Sequence, residues 1–251
     1  MLVRWIDLAR TARLVSADLT GFLLRLAVSD PATLPSTATA AGLEDIAAWF
    51  GRTLRRAGIE VDVLGRERVP REGGVVFMWN QETHLDHLVL PVAIPRPFFS
   101  LYNNEVARFP IYGRHMRRSG HVHVDRNDEP QWRASVERAA ERVRRGETVL
   151  VSPEGTRSKG GELLPMKRGA FILAVRSGQP IVCVTVIGGH ERLPRGSAVV
   201  RGGPMRVVLG EPIAVAGHSE DRLEPLKEQV ARTFRDTKTR HALAMTTSRP
   251  T

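Results

Sequence analysis

Hydrophobic and polar positions along this chain follow two alternating periods. Leu43, Ile46, Phe50 and Leu54 recur at helical spacing, which predicts a helix from about Ala41 to Ala57 with one buried face. Ile59 to Leu64 then alternates apolar and charged residues, the mark of a half-exposed strand, whereas Val75 to Trp79 is apolar throughout and short enough for a strand covered on both faces. Phe98 to Tyr102, His121 to Val124, Thr148 to Ser152 and Pro180 to Ile187 read as further strands, with Val199, Val200 and Met205 to Leu209 as a final pair. Helices are predicted between them. One opens at Thr83 as N-cap with Leu85, Leu88, Val89 and Val92 on one face, and a broken helix covers Asn103 to Arg118. Others run from Pro130 to Arg145, from Met166 to Ser177 with Gly178 as the stop, and from Ser219 as N-cap to about His241. This alternation predicts an α/β fold with a mixed, mostly parallel sheet flanked by helices.

Ahead of that pattern, Leu2, Trp5, Ile6, Ala9, Leu19, Phe22, Leu23 and Leu26 fall at largely helical spacing, with Arg4, Arg10, Arg13 and Arg25 between them. They predict an N-terminal amphipathic helical appendage that either packs on the fold or lies in a membrane interface. Asp30 to Thr39, with Pro31 and Pro35, reads as a linker. The expected organisation is an appendage over 1–40, an α/β domain over 41–241 and a frayed tail over 242–251. Charges interrupt the apolar runs of the first helices, so neither a signal peptide nor a spanning helix is predicted there.

Composition narrows the class. In 251 residues the chain carries 37 Lys and Arg against 27 Asp and Glu, a formal charge of 37 − 27 = +10, while a hydrophobic content of 42% excludes a fully disordered chain. A basic surface favours anionic partners: acidic lipid headgroups, phosphorylated small molecules or nucleic acid. For nucleic acid the charge is the sole indication, since no recognition motif accompanies it. The single cysteine, Cys183, sits in an apolar run and has no intrachain partner.

Chemistry concentrates where apolar strands give way to polar turns. Val75 to Trp79 ends in Asn80, Gln81, Glu82 and Thr83, followed by His84, Asp86 and His87, so imidazoles and carboxylates crowd one strand end. Thr148 to Ser152 leads into Pro153, Glu154, Gly155, Thr156, Arg157 and Ser158. There a glycine permits close backbone approach, and Arg157 offers a planar fork of donors suited to phosphate. Arg126, beside Asp125 at another strand end, is a second phosphate donor.

In order and spacing these stretches resemble the glycerol-phosphate acyltransferase family, which includes the 1-acylglycerol-3-phosphate acyltransferases. The resemblance covers roughly Val61 to Pro212. Pro153 to Ser158 is similar to the family's third block, Gly120 to Arg126 to its second, Met166 to Phe171 to the lysine-bearing helix that follows, and Gln179 to Val184 to its fourth. It implies an α/β enzyme that moves an acyl chain from acyl-CoA or acyl carrier protein to a glycerophospholipid-type acceptor resembling lysophosphatidate. No metal or bound cofactor is implied. Arg126, Arg157 and Lys167 would hold the acceptor phosphate, with Glu154, Gly155 and Thr156 shaping the pocket. A peripheral position on the anionic, inner face of the cytoplasmic membrane is expected as well.

The first block departs from the family pattern. Where the family places its histidine base, five residues before an orienting aspartate, this chain has Gln81 before Asp86. An amide exchanges hydrogen bonds but is no base near neutral pH. Three alternatives stay open: His84 serves as base, His87 does, or the pocket has kept its shape and lost or changed its chemistry, as in a lipid-binding member of the fold. A metal hydrolase is the rival enzyme class, because Thr83 to His87 is similar to half of a zinc motif, to which His121 and His123 would add ligands.

Overall fold

The computed structural model describes residues 7–9, 11–12, 21 and 35–247. Most of the predicted N-terminal appendage therefore lies outside the described residues. Where described, residues 7–9 and 11–12 are helical, and Thr11 Oγ1 accepts the backbone N–H of Val200 at 2.8 Å.

The body is a seven-stranded sheet between two helical layers. In chain order its elements are α1 (Ala40–Arg56), β1 (Ile59–Leu64), β2 (Val75–Trp79), α2 (Asp86–Ala93), β3 (Phe99–Tyr102), α3 (Asn104–Arg108), α4 (Pro110–Arg118), β4 (Val122–His123), α5 (Glu129–Arg144), β5 (Thr148–Val151), α6 (Arg168–Ser177), β6 (Ile181–Ile187), α7 (Gly189–Arg192), β7 (Gly203–Ile213) and α8 (Glu224–Thr247). The strands lie in the order β1-β7-β6-β2-β5-β3-β4. Each neighbouring pair is parallel except β6 with β7. The sheet is mixed and mostly parallel, as the sequence predicts.

Alternation along β2 explains the layering. Val75, Phe77 and Trp79 join the core under α1 and α2, whereas Val76 and Met78 join the core under α5, α6 and α8. Because both faces are covered, all residues of β2, β5 and β6 are buried, which accounts for their unbroken apolar runs. At the edge, β1 keeps alternate residues in water. The chain leaves β2 toward β3 through α2 on one face, and leaves β5 toward β6 through α6 on the other. Such divergence opens a crevice at the carboxyl ends of β2, β5 and β6.

Some boundaries differ from the sequence reading, each for a local reason. Helix α2 begins at Asp86 rather than after Thr83, since Thr83 Oγ1 instead accepts the N–H of Leu85 at 3.0 Å in a tight turn. The predicted final strand pair is a single strand: Val199 and Val200 are irregular and β7 runs on to Ile213, paired with β1 on one side and β6 on the other. Ser219 accepts the N–H of Arg222 in a turn ahead of α8, which starts at Glu224 and continues through residues expected to fray. The end of the expected linker is also ordered, with Thr39 capping α1 through the N–H of Gly42 at 3.2 Å. No helix among the described residues is long and apolar enough to cross a membrane.

Candidate active site

Three connections build the crevice: the β2–α2 loop, the β5–α6 loop and the β6–α7 turn. Asn80 fastens the first to the third, its amide donating to Val186 O at 2.9 Å while its carbonyl accepts the N–H of Val186 at 2.7 Å. Gln81 fastens the first to the second. Its N–H donates to Glu154 Oε1 at 3.0 Å, and its carbonyl accepts the N–H of Ser158 at 2.9 Å. The other oxygen of Glu154 accepts the N–H of Leu164 at 2.6 Å, so this buried carboxylate organises the loops from beneath. Burial pushes the pKa of Glu154 up, against the pull of those two donors.

Beneath the first loop lies a pair of buried carboxylates. Asp86, fully buried, accepts the N–H groups of Glu82 at 2.8 Å and Thr83 at 3.1 Å, and the Thr83 hydroxyl at 3.3 Å. Burial, with the neighbouring Glu82 carboxylate behind it, pushes the pKa of Asp86 up to about 8. Asp86 therefore shapes the loop, and it makes no hydrogen bond to His84. Glu82 accepts the N–H groups of Gly189 at 3.0 Å and His190 at 3.2 Å and pairs with Lys238 from α8. Burial raises its pKa too, and the Lys238 charge works in the opposite direction. The sequence places Glu82 at this strand end but gives no sign of its pairing with Lys238. They are 156 residues apart, and no motif joins them.

Above this base, the side chains free to meet a ligand are fewer. His84 is exposed, and partial burial followed by the charge of Arg157 holds its pKa below the ordinary histidine range, favouring a neutral, proton-accepting imidazole. Arg157 is half-buried and its guanidinium has no hydrogen-bond partner among the described residues; only its carbonyl is engaged, by Arg195 at 3.0 Å. The side-chain amide of half-buried Gln81 likewise has no partner there. His87 keeps its ring edge-on to Trp79 at 6.3 Å. Crowding and the nearby His84 and Arg157 charges push its pKa down, an effect limited by the surface that the residue leaves in water.

The second predicted phosphate donor reaches the same rim. Arg126 Nη1 donates to Gly155 O at 2.9 Å, and its guanidinium lies over Gly155, where a Cβ would come within 2.8 Å of it. With φ at +65°, Gly155 occupies a conformation and a space that other residues cannot share. Thr156 is exposed beside it. Lys167 is exposed just before α6, its N–H donating to Pro153 O at 2.8 Å. A cavity of about 60 Å³ opens next to His87, between α1, α2 and α4, with Ile46, Phe50, Leu90, Phe98, Met116 and Leu150 among its lining.

The zinc alternative needed His121 and His123 to join His84 and His87. Instead, His121 Nδ1 accepts the N–H of Ser100 at 2.9 Å, and His123 bonds Asn104 at 2.6 Å and Gln131 at 3.3 Å. Among the described residues no group of three or more His, Cys, Asp and Glu side chains gathers to hold a metal ion.

A buried strand-end scaffold on an α/β fold thus carries an exposed imidazole and a guanidinium with no hydrogen-bond partner among the described residues. The family model described as Acyltransferase matches residues 60–187, and the chain belongs to that family. It is 31% identical over 156 residues to a chloroplastic 1-acyl-sn-glycerol-3-phosphate acyltransferase of Brassica napus, which covers 61% of this chain and 45% of the relative. The chain thus spans less than half the length of that relative. The 1-acyl-sn-glycerol-3-phosphate acyltransferase of Escherichia coli is 25% identical over 180 residues, covering 70% of this chain and 72% of its own length. In fold the chain is similar to the crystal structure of the 1-acyl-sn-glycerophosphate acyltransferase PlsC from Thermotoga maritima, with a TM-score of 0.74 and 21% identity over 94% of this chain and 97% of the other.

Proposed function

We propose that the protein transfers an acyl group from a thioester, carried by coenzyme A or acyl carrier protein, to a hydroxyl of a lysophosphatidate-like glycerophospholipid acceptor. The observation that carries this reading is the neighbourhood of His84 and Arg157: an exposed imidazole within the field of a half-buried guanidinium that has no hydrogen-bond partner among the described residues. Arg157, with Arg126 and Lys167 on the same rim, holds the acceptor phosphate. His84 removes the proton from the acceptor hydroxyl as its oxygen attacks the thioester carbonyl. The C–S bond then breaks, and the departing thiolate takes the proton from the imidazolium. Glu154, Gly155 and Asp86 position these groups without touching the reacting atoms, while Gln81 offers its amide to the acceptor. The cavity beside His87 seats part of the acyl chain on its apolar wall, formed by Ile46, Phe50, Leu90 and Phe98. No metal or cofactor takes part.

The site works at a membrane, with the protein held peripherally on an anionic inner leaflet by its basic surface and the segment 1–40. Names of the relatives support the acceptor class, since those proteins are called 1-acyl-sn-glycerol-3-phosphate acyltransferases. The test is to incubate the purified protein with labelled acyl-CoA or acyl carrier protein and a panel of lysolipids. Transfer to lysophosphatidate above other acceptors is expected, and no transfer to any acceptor would overturn the reading.

A second reading, lipid binding without turnover, is favoured by one observation: Asp86 is bound to the loop backbone and orients no imidazole.

A further inference from the structure

We propose that α4 and the turn leading into it form a docking surface for an anionic lipid bilayer. Phe109 is 63% exposed and Ile111 39%, and they account for two of the three exposed large hydrophobic side chains among the described residues. Single exposed apolar residues are ordinary on a surface, but here two stand exposed at one turn. Arginine surrounds them. Arg108, Arg114, Arg117 and Arg118 are all exposed, against one acidic residue, Glu105, in the whole of 104–118. Arg117 Nη1 bonds Ala107 O at 3.2 Å and Arg108 faces Asp125, while Arg114 and Arg118 form no ion pair among the described residues.

The helix is two-sided. Tyr112, His115 and Met116, at i, i+3 and i+4, line the cavity beside His87, and Ile111, Arg114 and Arg118, at i, i+3 and i+7, face outward. Helix α3 begins just after β3, whose carboxyl end lies at the same sheet edge as those of β2 and β5, so the exposed turn follows that edge by one short helix. A bilayer suits this surface better than a protein partner does. A stable protein interface needs roughly 800 Å² from each side, whereas here two apolar side chains project from a turn between short helices. Such a wedge enters the headgroup boundary while long arginine stems keep their charges among the phosphates. Docked in this way, and on the acyl-transfer reading above, α4 would set the cavity wall against the bilayer that holds the lysolipid acceptor.

The test uses the full chain with Ile111→Cys labelled by an environment-sensitive thiol dye. Selective labelling is possible because Cys183 is fully buried and its thiol is pushed up to about 12 by burial. The expected result is a blue shift on vesicles of phosphatidylcholine with phosphatidylglycerol, absent with phosphatidylcholine alone, and quenching by lipid-borne spin labels. Adding Arg114→Glu with Arg118→Glu, or Phe109→Asp, should lower partition to anionic vesicles on the order of ten-fold, with unchanged circular dichroism. A dye that stays in water while the protein sediments with vesicles would overturn the proposal, as would unchanged partition in the charge-reversed and Phe109 variants, or a shift produced by acidic acyl carrier protein but not by vesicles. None of these readouts needs turnover, so a failure here is distinguishable from a failure of the acyl-transfer reading.

Discussion

The backbone N–H of Gln81 donates to the side-chain carboxylate of Glu154 at 3.0 Å, a contact across 73 residues that fixes the β2–α2 loop to the β5–α6 loop. With Leu164 on its other oxygen, Glu154 is a clamp between the two stretches that carry the candidate chemistry. Glu154→Ala would leave two backbone donors without their partner, each costing about 1–3 kcal/mol when buried. Urea denaturation should show a loss of about 2 kcal/mol or more, with Glu154→Gln in between because one acceptor oxygen remains. An unchanged midpoint for the alanine variant would remove the clamp from the account.

The buried carboxylate of Asp86 makes stability depend on pH in a defined sense. Its pKa in the fold is about 8 against an ordinary 3.8, so the folded state keeps a proton that the unfolded chain releases in between. Stability from this group is present at low pH and declines as pH rises through that window. Asp86→Asn removes the titration while keeping an acceptor oxygen. Relative to the wild type it should gain stability with rising pH, at most about 1.4 kcal/mol per pH unit. Parallel unfolding curves for the two proteins between pH 5 and 8.5 would contradict this.

Lys238 and Glu82 join α8 to the same loop, with side chains 23% and 4% exposed. Removing the cation alone leaves a buried anion, so Lys238→Met should destabilise by about 3 kcal/mol. Combining it with Glu82→Gln should recover most of that loss, since the pair is then replaced by neutral groups. Calorimetry on the two single variants and the double variant gives the coupling, and strictly additive losses would show that the two residues do not act as a pair.

How much of this was legible in the sequence depended on range. The buried strands were readable because two covered faces demand apolar runs, as in β2 and β6, and Gly155 because a turn at a strand end needs its conformation. The start of α2 lies two residues later than the sequence predicts, because Thr83 and Asp86 compete as capping side chains and their hydroxyl and carboxylate close a turn first. Asp86 was read as the partner of an imidazole on the strength of a family spacing, and the structure gives it to the backbone of Glu82 and Thr83. The link from Glu82 to Lys238 was invisible, since a contact between distant segments leaves no local period.

For the acceptor, Arg157 is the group with the most to lose. Arg157→Ala should raise the KM for a phosphorylated acceptor at least ten-fold while that for the acyl thioester changes little, because a charge-assisted contact is lost from one substrate alone. Arg157→Lys should recover only part of it, keeping charge without the planar fork. Equal losses for both substrates would make Arg157 a structural residue.

The claim that His84 replaces the missing base at Gln81 is tested most directly by the rate of acyl transfer from labelled acyl-CoA to lysophosphatidate in wild type, His84→Ala, Gln81→Ala and Gln81→His, each folded by circular dichroism. The account predicts an active wild type, a fall of about 10²–10⁴-fold in His84→Ala, and most of the rate kept in Gln81→Ala. An inactive wild type that gains transfer on Gln81→His, or a His84→Ala variant as fast as wild type, would contradict it.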